Sequence, residues 1–230
     1  MMSGEFWAAV VGAIVGALAG GGISAWLQMW DYKRARADTN NGLAHSLFFK
    51  LYAVYSDLDG FKTYVNGELT SASEAGLTPG WQSLKPIANG PAEIQFSPEE
   101  MTFLLSLRNF DLFNLVHSLD RVHRSTISMF ALYAERRIAL TSTLPAQMEG
   151  PVGSIDLRLL TPEMRGRAEA VGAELQSIYG SIIQRVDFDA GEAWRALAAY
   201  NEIIRPVLGY SFSIEKVGHT PRSLTTESTD

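Results

Sequence analysis

The chain has 230 residues, 19 Lys and Arg against 25 Asp and Glu, a net charge of −6 and no cysteine. The acidic balance argues against a broad nucleic-acid footprint, which needs a basic face. The lack of cysteine excludes a disulfide scaffold, a thiolate metal site and a cysteine nucleophile.

Phe6 to Trp30 is a run of 25 residues without a charge. As a helix it would extend about 37 Å, against a bilayer core of about 30 Å. Trp7 stands near one end, with Trp26 and Trp30 near the other, in the manner of aromatic residues at the two faces of a membrane. Lys33, Arg34 and Arg36 follow directly. Residues 1–30 are therefore expected to form one transmembrane helix, and residues 31–42 a basic juxtamembrane connector. Ala17-Leu18-Ala19 has the small residues of a signal-peptide cleavage site, but no Lys or Arg precedes the run and it stays apolar well past that point. A retained anchor is the better reading. The basic residues beyond the run place the body in the cytoplasm and the N-terminus outside.

Gly12, Gly16 and Gly20 fall four apart, extended by Ala8 and Ser24. Residues at that spacing stack on one helix face. In lipid, helices associate by close backbone packing, which small residues permit. Ala8, Gly12, Gly16, Gly20 and Ser24 are thus the expected self-association stripe. A second small-residue stripe through Ala9, Ala13, Ala17, Gly21 and Ala25 runs beside it, so a ring or array is as accessible as a dimer.

Past the connector, Leu43, Leu47, Leu51, Val54, Leu58, Phe61 and Val65 recur at helical spacing. Asn40-Asn41-Gly42 reads as a break before that helix and Asn66-Gly67 as its stop. Residues 67–97 are rich in Gly and Pro, yet carry Trp81, Leu84, Ile87, Ile94 and Phe96. They are read as a loop packed on the body. Ser97-Pro98-Glu99-Glu100 opens a helix, with a serine cap, proline at the first position and acids at the positive end of the dipole. Its apolar residues, among them Phe103, Leu107, Phe110, Phe113, Leu112, Val116 and Leu119, predict one helix running to about Leu140.

A connection from Pro145 to Leu160 leads to Thr161-Pro162-Glu163, a further helix start. Met164, Ala168, Val171, Leu175, Ile178, Ile182 and Val186 mark its inner face. Asp189 and Glu192 have capping-box spacing and predict the start of a last helix, with Trp194, Leu197, Ile204 and Leu208 inward. Residues 43–209 are read as a cytoplasmic bundle of about four helices, and residues 210–230 as a disordered tail. The fold class is all-α: a single N-terminal transmembrane helix followed by that bundle.

Chemistry is sparse. Asp120 and His123 have the spacing of a carboxylate–histidine metal pair, but a di-metal bundle needs a second such unit and none occurs. The pair reads as a solvated polar face. No nucleophile elbow and no phosphate-binding glycine loop is present. No catalytic residue, metal or cofactor is expected, and the chain is not expected to be an enzyme. His117, Arg121 and Arg124 align along one helix and are candidate contacts for an anion or an acidic partner. The expected partners are the lipid bilayer, further copies of the chain and an unidentified cytoplasmic protein, with no nucleic acid. The leading functional expectation is a membrane-anchored, self-associating scaffold or sensor. The alternative is a pore or channel built from the same helices, although only Ser24 and Gln28 are polar within the run.

Overall fold

The computed structural model describes the backbone of residues 4–143 and 160–214, and side chains from Ser24 onward within those ranges except Ala25 and Thr143. The described residues form four α-helices and no strand: α1 (Gly4–Glu74), α2 (Pro98–Ser106), α3 (Phe110–Thr143) and α4 (Pro162–Leu208), with a single 3-10 turn at Trp81–Ser83. The chain divides into two units, Met1–Ser46 and Leu47–Asp230.

The first unit is helical from Gly4 onward. Ser24 and residues 26–39 are all exposed, including Trp26, Leu27, Met29, Trp30 and Tyr32. No break occurs at Asn40-Asn41-Gly42, and the connector predicted for 31–42 is helical throughout. A Thr39 hydroxyl bond to the Ala35 carbonyl, 2.9 Å, and a 2.6 Å contact between His45 Nδ1 and the Asn41 carbonyl lie along this stretch. Among the described residues no helix is long and apolar enough to cross a membrane. Of the run predicted to span, the side chains of residues 6–23 and Ala25 lie outside the described residues.

The second unit is the helical bundle. Leu47, Leu51, Val54, Leu58, Phe61 and Val65 of α1 are all buried, as their spacing predicts. Phe61 stacks on Phe130 of α3 at 4.4 Å, and Tyr55 meets Trp194 of α4 at 5.2 Å between ring centroids. α1 does not stop at Asn66-Gly67. It ends eight residues later in a Schellman motif, where Gly76 adopts φ 67°, its N–H reaches the Ser73 carbonyl at 3.0 Å and the Leu77 N–H reaches Ala72 at 2.9 Å. A glycine is needed where φ turns positive, and Gly67 sits where the helix simply continues.

The single helix predicted from Ser97 to about Leu140 is two helices. α2 has the expected start: Ser97 Oγ accepts from the Glu100 N–H at 3.3 Å, and Glu100 Oε2 accepts from the Ser97 N–H at 2.6 Å. It ends at Ser106 because Arg108 turns left-handed at φ 54°, and Asn109 Oδ1 then caps α3 by accepting from the Leu112 N–H at 2.9 Å. A non-glycine residue in that region costs about 1–2 kcal/mol. The break rotates the apolar pattern. Leu112, Val116 and Leu119 are buried, whereas Phe110 is 66% exposed.

α4 starts as predicted, with Thr161 Oγ1 accepting from the Met164 N–H at 3.2 Å. It then runs unbroken through Asp189 to a left-handed Gly209, φ 78°. Asp189 caps nothing because its carboxylate is buried and bonded to α3. Glu192 pairs instead with Arg195. The tail predicted to be disordered from residue 210 is held as far as Ile214. Asn201 bonds both the N–H and the carbonyl of Phe212, at 2.8 and 3.0 Å, and the Phe212 ring stacks on Phe48 at 3.6 Å. Residues 215–230 lie outside the described residues.

The long connection between α1 and α2 is fixed by two side chains of α3. The Tyr133 hydroxyl donates to the Trp81 and Leu84 carbonyls. Arg137 donates to the Leu84, Gln82 and Trp81 carbonyls and to the Tyr133 oxygen, with its guanidinium 5.8 Å from the Trp81 ring centre. Burial pushes the Tyr133 hydroxyl up to about 12 despite the opposing Arg137 charge, so it remains a donor at neutral pH. Tyr64 adds a 2.6 Å bond to the Lys85 carbonyl. Buried backbone carbonyls need such partners, and this explains why a Gly- and Pro-rich segment stays packed.

Candidate functional site

Three groups of residues carry chemistry, and each lies within one unit. The first is the aromatic–basic stretch of α1. Trp26, Met29 and Trp30 are 60%, 58% and 52% exposed, and Lys33, Arg34 and Arg36 are exposed beside them. The Arg34 guanidinium sits 5.7 Å from the centre of the Trp30 ring, within the range of a cation–π contact. Such surface is costly in water and favourable where an apolar phase meets a polar one, because indole rings have an apolar body and a polar edge. Ser24 at the end of the small-residue stripe is exposed. The rest of the stripe (Ala8, Gly12, Gly16, Gly20) and Trp7 lie outside the residues whose side chains are described.

The second group is the His117, Arg121 and Arg124 face of α3. His117 and Arg121 are exposed, with His117 stacked at 6.3 Å on Phe113. Arg124 is half-buried and its guanidinium is bound to the Asp120 carboxylate one turn earlier. The sequence pattern of three aligned cations therefore resolves into two open groups and one neutralised by its i, i+4 acid.

The third group was not legible as a group. His123, read from the sequence as part of a solvated face, is fully buried. Its Nε2–H donates to Asp57 Oδ2 of α1 at 2.9 Å. An ionised carboxylate can only accept, which fixes the direction of that bond. One turn along α3, Thr126 donates to Asp189 Oδ2 of α4 at 3.3 Å, and Arg185 lies 3.6 Å from the same oxygen. Burial raises the Asp189 carboxyl above the usual carboxylate range, against the opposing pull of Arg185 and Thr126. α1, α3 and α4 thus share a polar seam through the core. Asp57 borders a shallow cleft of about 330 Å³ with Ser56, Gly60, Phe61, Tyr64, Ile87 and Pro91. Asp120, the other half of the predicted metal pair, points to Arg124 instead. Among the described residues no group of three His, Cys, Asp or Glu side chains is placed to hold a metal ion.

A signal for the seam existed. Asp57 lies three residues after Val54 and four before Phe61, so it belongs to the buried face of α1. Asp189 likewise follows Val186 by three. A polar residue in register with a buried stripe needs a partner, but the sequence does not say which helix supplies it. His123 Nδ1 is buried without a hydrogen-bond partner among the described residues. The Asp57–His123 and Thr126–Asp189 bonds tie α1, α3 and α4 together.

Comparison with protein-family models, with curated proteins and with solved structures yields no match to this chain.

Proposed function

We propose that this protein is a membrane-anchored, self-associating helical scaffold or sensor. Residues 6–30 of α1 hold it in the bilayer, and the bundle from residue 47 onward serves as the cytoplasmic part that meets a protein partner. The observation that carries the reading is the 25-residue uncharged run, which ends in exposed Trp26 and Trp30 and is followed at once by exposed Lys33, Arg34 and Arg36. An apolar run of that length is sufficient to cross the hydrocarbon core, and a basic cluster beside it favours the cytoplasmic side. Self-association rests on the Ala8, Gly12, Gly16, Gly20, Ser24 stripe, which offers neighbouring helices a smooth face. The buried seam of the bundle serves helix pairing, and the exposed His117 and Arg121 are its contacts for an anion or an acidic partner.

Extraction of membranes with alkaline carbonate and high salt tests the anchor. The full chain is expected to stay in the pellet, and a chain lacking residues 1–30 to leave it. Release of the full chain under the same conditions would show attachment by surface contacts alone and would end this reading.

A further inference from the structure

The exposed Trp26 and Trp30 of α1 share one side of the helix with two of the basic residues that follow. Taking Trp30 as zero and about 100° per residue, Trp26, Ala37 and Lys33 fall near −40°, −20° and −60°, and Arg34 near +40°. Arg36 lies further round, near −120°. The only two acids of this stretch, Asp31 and Asp38, sit seven residues apart near +80° to +100° by the same count, together on one flank. Trp26, Trp30, Lys33 and Arg34 are therefore neighbours within an arc of about 100°, with the acids to one side of it and Arg36 to the other. The Arg34 guanidinium lies 5.7 Å from the centre of the Trp30 ring, which places the cation beside the indole.

We infer that this face binds the headgroups of anionic phospholipids. The inference rests on the anchor reading above and adds a lipid preference to it. Indole rings settle at the boundary between acyl chains and headgroups. A guanidinium stacked on such a ring lies at phosphate level, and its planar fork matches phosphate oxygens. Lys33 and Arg36 lie further along the helix, by about 4.5 and 9 Å from Trp30, where their long side chains reach the headgroup layer. The chain as a whole is acidic, at −6, so its net charge does not itself draw it to an anionic membrane.

The test uses the full-length protein carrying Trp7→Phe, reconstituted in vesicles of phosphatidylcholine and phosphatidylglycerol. Bromine is placed on the acyl chains of one lipid or the other at equal mole fraction, and the quenching of tryptophan fluorescence is read. Trp26 and Trp30 report the interface, while Trp81 and Trp194 of the bundle give a constant background. Brominated phosphatidylglycerol should quench more strongly, with a local enrichment of at least about fivefold, the factor that a single basic group contributing roughly 1 kcal/mol near a surface supplies. The enrichment should fall to near parity in the Lys33→Gln, Arg34→Gln, Arg36→Gln triple variant, and should weaken in high salt. Equal quenching by the two brominated lipids in the parent would overturn the lipid preference and leave the anchor standing. Quenching by neither would overturn the anchor, and the preference with it.

Discussion

Leucine in place of Gly16 should leave the protein in the membrane and dissolve its assemblies. The substitution makes the run more apolar, so insertion is preserved or improved. Its four-carbon side chain holds neighbouring backbones apart and removes the close van der Waals contact that small residues allow. In a mild detergent the parent should sediment or migrate as an oligomer and Gly16→Leu as a smaller species. Gly16→Ala should fall between them, because alanine is still small, and Ile14→Leu, off the stripe, should match the parent. The same comparison made with residues 38–230 alone shows how much assembly the bundle contributes. An unchanged oligomer in Gly16→Leu, with a monomeric 38–230 fragment, would refute the small-residue stripe as the contact.

Tyr133→Ala should be the most damaging single change in the bundle. The ring is fully buried, and truncating an aromatic residue in a packed core costs about 3–5 kcal/mol. The hydroxyl also holds the Trp81 and Leu84 carbonyls. For a protein of this size the loss corresponds to a melting temperature lower by roughly 10 °C. Tyr133→Phe separates the two contributions. It keeps the ring and leaves Arg137 on the same carbonyls, so it should cost only about 1 kcal/mol. Thermal unfolding followed by circular dichroism measures both. Equal melting temperatures for Tyr133→Ala and the parent would mean that the 75–97 connection is not held through α3.

The apolar stripe of α1 and the starts of α2 and α4 were legible because each depends on residues close in sequence. Leu47 to Val65 repeat at a helical period, and Ser97 and Thr161 cap from within their own first turn. Helix ends were read less well, for a physical reason. Asn66-Gly67 and Asp189 with Glu192 have the composition of a stop and a start, yet nothing local forces φ positive at Gly67, and Asp189 finds Thr126 on another helix. The break at Arg108 has the opposite character. Asn109 is a competent cap, but the sequence on both sides is apolar enough to suit a continuous helix. The described residues are all helical in their regular structure, as expected, but the segmentation differs: the stretch 31–42 is helical and runs on into the first bundle helix. The predicted central helix is split, and the two predicted beyond residue 160 are one. The chemistry was the least legible part. His123 reads as solvated because no second carboxylate–histidine unit accompanies its pairing with Asp120, whereas its partner in space is Asp57, 66 residues earlier. The Tyr133 and Arg137 clamp is equally long in range and leaves no local pattern.

The absence of native cysteine allows the central claim, that residues 6–30 cross a bilayer, to be measured directly. Single cysteines at Ser3, Ile14, Leu18 and Thr39 are to be probed in whole cells with a membrane-impermeant maleimide, before and after the cells are opened without detergent. The account predicts that Ser3→Cys reacts in intact cells, that Thr39→Cys reacts only once they are opened, and that Ile14→Cys and Leu18→Cys react in neither state. Labelling of Ile14→Cys and Leu18→Cys in opened cells would contradict it, because a side chain in the hydrocarbon core is out of reach of a charged reagent.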